Sequence, residues 1–167
     1  MPILNADTLE FISRSTDQTR RLGARLGAHL QGGEVLALEG DLGTGKTVFS
    51  QGVGQGWGAV TPLISPTFIL IRRHDRLDSS VDLYHIDLYR LTSIPEIETL
   101  GLEEILGDPK AISIVEWADR APELIPPDRL WISLRVSDEY RRAITFQAQG
   151  ERHQALLQKF RKEIIGL

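Results

Sequence analysis

One octapeptide constrains this chain more than anything else in it. Gly40-Asp41-Leu42-Gly43-Thr44-Gly45-Lys46-Thr47 fits G-x-x-x-x-G-K-[ST], the Walker A phosphate-binding loop. A triphosphate wrapped by backbone N–H groups needs side chains kept clear of it, and glycine lets the backbone curl close to the anion. A helix is expected to begin at Lys46-Thr47 and aim its positive end at the phosphates. Lys46 would reach the β- and γ-phosphates, the Thr47 hydroxyl would take one position on Mg²⁺, and residues 41–47 would form the cradle. The flanks fit: 34–39 (Glu-Val-Leu-Ala-Leu-Glu) reads as a buried strand running into the loop, and Val48 to Val53 can continue a helix. Lys46 is also the only lysine before Lys110, in a chain that otherwise draws its positive charge from arginine.

A strand–loop–helix of this kind needs a sheet around it, and the remaining sequence supplies one. Thr8 to Ser13 reads as a short strand, and Ser15 with Gln18 as a capping box for a helix whose stripe is Leu22, Leu26 and Leu30. Arg20, Arg21 and Arg25 fall off that stripe and read as a solvated face. Gly32-Gly33 is expected to end this helix, and the glycines between Gly52 and Gly58 to break the one after the phosphate loop. Ser65-Pro66-Thr67-Phe68 opens an apolar run through Ile71, 72–76 forms a charged tip, and Val81 to Leu88 returns as a hairpin partner. Pro95 can start a helix with Ile97, Leu100, Ile105 and Leu106 on its apolar positions. Ala111 to Val115 is the most apolar strand, Pro122 to Pro127 a loop, and 130–136 and 143–148 two further strands. A last helix carries His153, Leu156, Leu157, Phe160 and Ile164 on one face. The pattern predicts a single α/β domain over residues 1–167: a P-loop NTPase-like three-layer fold, its central sheet mainly parallel, with antiparallel edge strands.

Chemistry beyond phosphate binding requires a carboxylate near the metal and a group that positions water. Glu116, at the end of the most apolar strand, is the first candidate and Asp87 the second; Asp82 reads as a solvated edge residue. The Thr67 hydroxyl could sense a γ-phosphate, as switch threonines do. His85 reads as structural, since the four histidines are scattered without metal-ligand spacing, and Trp117 as a core residue. The net charge of −4 argues against an autonomous nucleic-acid binder, and the absence of cysteine removes disulfides and thiolate chemistry. With no signal-peptide pattern and no bilayer-length apolar run, a cytoplasmic protein without a membrane partner is expected.

Five motifs occur in order: 40–47, Ser-Pro-Thr-Phe (65–68), His-Ile-Asp-Leu-Tyr-Arg (85–90), Gly-Leu-Glu-Glu (101–104) and Val-Glu-Trp-Ala (115–118). Together they resemble the TsaE (YjeE) family over about residues 10 to 150. The resemblance implies an ATPase of tRNA N6-threonylcarbamoyladenosine synthesis, weak alone and stimulated by its partners TsaD and TsaB. Its cycle would reset that transferase complex, with tRNA held through the partners. Carried over by position, Thr47 and Glu116 would bind Mg²⁺. Lys46, Asp87 and Glu116 would be catalytic, and Trp117 and Thr67 partner or switch residues. The adenine contacts are not fixed by the motifs, although Phe11 to Thr16 is a candidate segment. The rival readings are a small-molecule kinase using Arg72, Arg73 and Arg76 as a phosphoryl clamp, a GTPase-type switch, and a non-catalytic scaffold. The Asn-Lys-x-Asp pattern that reads guanine is absent.

Overall fold

The structure, a computed structural model, describes residues 6–64, 71–89 and 101–165. Seven strands form one sheet: β1 (Thr8–Ser13), β2 (Val35–Glu39), β3 (Ile71–His74), β4 (Asp82–Asp87), β5 (Ala111–Glu116), β6 (Arg129–Val136) and β7 (Arg142–Gln149). Their spatial order is β1-β7-β6-β2-β5-β4-β3. The four central strands β6, β2, β5 and β4 run parallel. β7 and β1 add antiparallel strands on one side and β3 on the other. All six residues of β5 are buried, as expected of a strand covered on both faces.

The period of two along β2 sorts the core into its two layers. Leu36 and Leu38 face α1 (Thr16–Gly27), α2 (Lys46–Trp57) and α4 (Glu151–Ile165), together with Leu22, Leu26, Phe49, Val53 and Phe160. Val35 and Ala37 face the opposite layer, with Leu102 of the short α3 (Leu102–Ile105) and Ala118, Ala121 and Ile125. α1 starts as the sequence predicts. The Gln18 N–H donates to Ser15 Oγ at 3.0 Å, while the Gln18 side chain accepts from Arg14 N–H at 2.6 Å, one residue earlier than in a standard capping box.

Several expectations need correction. The glycines of 52–58 do not break α2, which runs to Trp57 and is closed by Gly58 in the left-handed region (φ 96°). Their role is contact: a methyl on Gly52 would lie 2.0 Å from the Arg20 carbonyl oxygen, and one on Gly56 1.8 Å from that of Ala24. From the other side, a methyl on Gly23 would meet the Phe49 carbonyl at 2.3 Å and one on Gly27 that of Val53 at 2.2 Å. The two helices therefore touch backbone to backbone, and this packing outweighs the low helix propensity of glycine. α1 ends at Gly27, ahead of Gly32-Gly33, where the Gly33 N–H instead donates to the Ala111 carbonyl. β3 extends into the expected charged tip through Arg72 and Arg73, and the proline loop contains a 3-10 turn at Pro122–Leu124. The expected strand start at 65–70 and the Pro95 helix start, with Ile97 and Leu100, lie outside the described residues. Among the described residues no helix is long and apolar enough to cross a membrane.

His153 ties α4 to the start of β2. Its Nε2 accepts from Val35 N–H at 2.9 Å and its Nδ1–H donates to Asp128 at 2.5 Å. Burial holds this imidazole below its ordinary range, against the pull of Asp128. Burial lowers His74 in the same sense.

Two outcomes follow. Gly56→Ala gains about 1 kcal/mol of helix propensity but collides with backbone, so a net loss of about 1–3 kcal/mol is expected in urea unfolding. For the histidines, the unfolded chain takes up protons at a higher pH than the native one. Stability is therefore full above the ordinary histidine value of 6.5 and falls as pH drops from there toward the lowered native values. His153→Gln should be less stable at pH 7.5 yet show a shallower slope between pH 7.5 and 5.5, at about 1.4 kcal/mol per pH unit for each proton difference removed. An unchanged slope would mean that His153 titrates alike in both states.

Candidate functional site

The phosphate-binding loop leaves β2 at Glu39 and enters α2 at Lys46. Gly45 caps the helix with φ 102° and offers no capping side chain, so the first-turn N–H groups of α2 stay available to an anion. The loop is braced from within. The Thr44 hydroxyl donates to the Asp41 carbonyl at 2.8 Å, and Lys46 Nζ donates to the carbonyls of Gly40 and, at 2.9 Å, Asp41. Burial pushes the Lys46 ammonium below its ordinary range; Glu116, Asp119, Asp41 and Asp87 pull it back up.

The acidic edge of the site follows from strand register. Glu116 stands opposite Leu38 of β2 and Asp87 of β4, so both carboxylates end parallel strands at the edge where the loop departs. Glu116 is 1% exposed and Asp87 7%. The Thr47 hydroxyl donates to Glu116 Oε1 at 3.0 Å, and His85 Nε2 meets Glu116 Oε2. Asp87 Oδ1 accepts from Tyr89 N–H at 2.9 Å. His85, read from the sequence as structural, thus stands at the site. The available signal was alternation: Leu83, His85 and Asp87 share one face of β4.

Trp117 differs from its expected placement. The strand does not continue; Trp117 adopts the left-handed region (φ 61°, ψ 37°), uncommon for a side chain of this size. The turn brings its ring under Lys46, with Nζ 3.9 Å from the ring centroid. Tyr89 packs beside it at 4.9 Å, and the Arg120 guanidinium lies 5.4 Å from the Trp117 ring and 5.1 Å from that of Tyr89.

Around these groups lies a cleft of about 740 Å³. The loop and the acidic edge form its floor, Arg14, Ser15 and Thr16 one wall, and Tyr140 with Arg142 another. Arg142 also holds the loop, donating to the Gly43 carbonyl at 3.3 Å. Leu42 and Tyr140 are 69% and 72% exposed at the mouth. Of the segment 11–16, residues 14–16 reach the cleft, while Phe11 packs on the core. Thr67 lies outside the described residues. Arg73 pairs with Asp82 at 3.8 Å, and Arg76 donates to the Trp57 carbonyl at 3.0 Å.

Residues 13–144 match the family model described as "Threonylcarbamoyl adenosine biosynthesis protein TsaE". The chain belongs to the TsaE family. The tRNA threonylcarbamoyladenosine biosynthesis protein TsaE of Bacillus subtilis (strain 168) is 36% identical over 151 residues, covering 90% of this chain and 92% of that protein. Its counterpart in Streptomyces coelicolor is 37% identical over 139 residues, 80% and 92% of the two chains. A crystal structure of Bacillus subtilis YdiB superposes with a TM-score of 0.72 and 30% identity over 93% of this chain and 95% of that one.

In this TsaE-family chain, no three His, Cys, Asp or Glu side chains gather as a metal cage among the described residues. The hydroxyl–carboxylate pair of Thr47 and Glu116 suits Mg²⁺, which keeps most of its shell as water and phosphate oxygens. Charge supports the same fit. A polyphosphate entering this cleft meets the buried carboxylates of Asp87 and Glu116, and Lys46 is the one buried cation among the described residues there.

The Asp87 geometry gives a direct test. Asp87→Asn keeps the Oδ1 acceptor for Tyr89 N–H and should melt close to the parent. Asp87→Ala loses that bond and should cost about 0.5–1.5 kcal/mol in chemical denaturation. Equal stability of the alanine and asparagine variants would remove the turn bond from the account.

Proposed function

We propose that this chain is an ATPase that binds ATP with Mg²⁺ and hydrolyses it. Its turnover would serve tRNA N6-threonylcarbamoyladenosine modification by resetting a TsaD–TsaB transferase complex, with tRNA held by those partners in the cytoplasm. The observation that carries the ATPase reading is the bond from Thr47 to Glu116, which joins the end of the phosphate-binding loop to the end of the central strand. Family membership supports the pathway, since the relatives are named for it.

The geometry supports the following roles. The loop N–H groups and the uncapped N-terminus of α2 receive the phosphates. Lys46 exchanges the carbonyls of Gly40 and Asp41, and its place over Trp117, for the β- and γ-phosphate oxygens. Its lowered affinity for a proton reflects a dry setting, in which a charge contact to phosphate counts for more than in water. Thr47 and Glu116 would hold Mg²⁺, which when bound supplies positive charge to the phosphate oxygens. Asp87, abreast of Glu116, orients the attacking water by accepting its hydrogen bond. Because Lys46 lies over Trp117, its departure changes the surroundings of an aromatic cluster with Tyr89 and Arg120. That cluster gives nucleotide state a route to a partner.

The kinase reading is weaker. Arg73 and Arg76 are engaged elsewhere, and neither they nor Arg72 lines the cleft.

ATP turnover with and without TsaD–TsaB tests the proposal. Inorganic phosphate as sole phosphorylated product, rising with the partners, is the expected result; a phosphorylated acceptor would establish the kinase instead. Lys46→Ala should lose at least about a hundredfold in turnover. Glu116→Gln should bind nucleotide and melt near the parent while turnover falls. Trp117→Ala should keep ATP binding but lose partner stimulation, and a large fall in its melting temperature would make Trp117 a core residue.

A further inference from the structure

We propose that His85 is a positioning residue for Glu116: its Nε2–H fixes the carboxylate so that Oε1 alone faces Thr47 and the cleft. The inference rests on the reading of Thr47 and Glu116 as the Mg²⁺ ligands.

Glu116 divides its oxygens between two donors, Thr47 on Oε1 and His85 on Oε2. A glutamate carboxylate otherwise turns about a broad, roughly two-fold torsion. Held from both sides, its plane is set before any ligand arrives. The donor behind it is itself rigid. His85 lies within β4, paired with Arg72 of β3 on one side and Ile114 of β5 on the other, and is fully buried.

His85 holds its place on one ring nitrogen alone. Nδ1 is buried and meets no hydrogen-bond partner among the described residues. The two other buried histidines divide on this point: His153 uses both nitrogens, on Asp128 and on Val35, while His74 meets Thr61 through Nδ1 and leaves Nε2 without a partner among the described residues. A buried polar atom without a partner is costly, and an apolar side chain in the same strand position would avoid that cost. The imidazole retains one interaction that an apolar residue cannot give, its bond to Glu116.

The consequence falls on the metal rather than on the nucleotide. His85 does not line the cleft, so it makes no contact with phosphate or base. Without it, Glu116 can rotate, offer its other oxygen and release the Thr47 hydroxyl. Residues that orient a metal ligand in this way are worth about 10–100-fold in metal affinity.

The test compares His85→Leu, His85→Asn and His85→Gln in the full chain. Melting temperature is measured without nucleotide, and affinity for a non-hydrolysable ATP analogue is measured in EDTA and across a Mg²⁺ titration. The glutamine amide can place its N–H where Nε2 stands; asparagine reaches only the position of Nδ1. The leucine variant should bind the analogue in EDTA within about twofold of the parent and require about tenfold more Mg²⁺ for half of the metal-dependent tightening. Glutamine should restore most of the Mg²⁺ response and asparagine should not.

A leucine variant with the parent's Mg²⁺ midpoint overturns the positioning role. So does a loss of EDTA affinity that follows melting temperature in all three variants. If leucine does not fold, equal midpoints in the glutamine and asparagine variants overturn it. A parent without Mg²⁺-dependent tightening removes the metal reading of Thr47 and Glu116 itself, a result distinct from the others.

Discussion

The parallel pairing of β2, β5 and β4 is the constraint on which the site depends. Parallel strands that share a register end at one edge of the sheet, and here that register sets Leu38, Glu116 and Asp87 abreast. The loop leaves the same edge one residue after β2 ends, so the helix it feeds meets Glu116 at its first turn through Thr47. Burying two carboxylates side by side is unfavourable in a low-dielectric edge. They are tolerated because each has donors: Thr47 and His85 for Glu116, the Tyr89 N–H for Asp87. The ammonium of Lys46 lies close enough to be raised by both.

Much of this was legible in the sequence because the signals were local. The strand before the loop, the start of α1 at Ser15, the apolar run of β5 and the face of α4 follow from periodicity and capping alone. The placement of Glu116 at the sheet edge beside the loop was legible because it ends the most apolar run in the chain. Leu22 and Leu26 are buried on α1 as their spacing requires, and Leu30 is buried beyond the end of that helix.

The features that were not legible depend on contacts between distant segments. The glycines of α2 read as helix breakers because their partner, the backbone of α1, lies some thirty residues away in sequence; the signal that was there is spacing, Gly52 and Gly56 on one helix face and Gly23 and Gly27 on the other. His85 read as structural because its carboxylate partner is on another strand. Trp117 read as a core residue, and nothing in Glu116-Trp117-Ala118 announces the left-handed turn that sets its ring under Lys46. The order of the antiparallel strands, with β7 between β1 and β6, likewise depends on pairings between segments far apart in the chain.

The glycine contact between α1 and α2 also decides which parts of the cleft can move. α1 begins with the residues that form one wall, and α2 begins with the loop that forms the floor. Where these glycines meet, backbone packs on backbone with no side chain to change rotamer, so the two helices share a close mount beneath wall and floor. Across the cleft, the β6–β7 turn and the Trp117–Tyr89 corner present large side chains on backbone-bonded turns, and those side chains can turn without moving that mount. The glycines thus tie wall and floor to one support, and a ligand in this cleft has the rings of Tyr140, Tyr89 and Trp117, rather than that support, to rearrange.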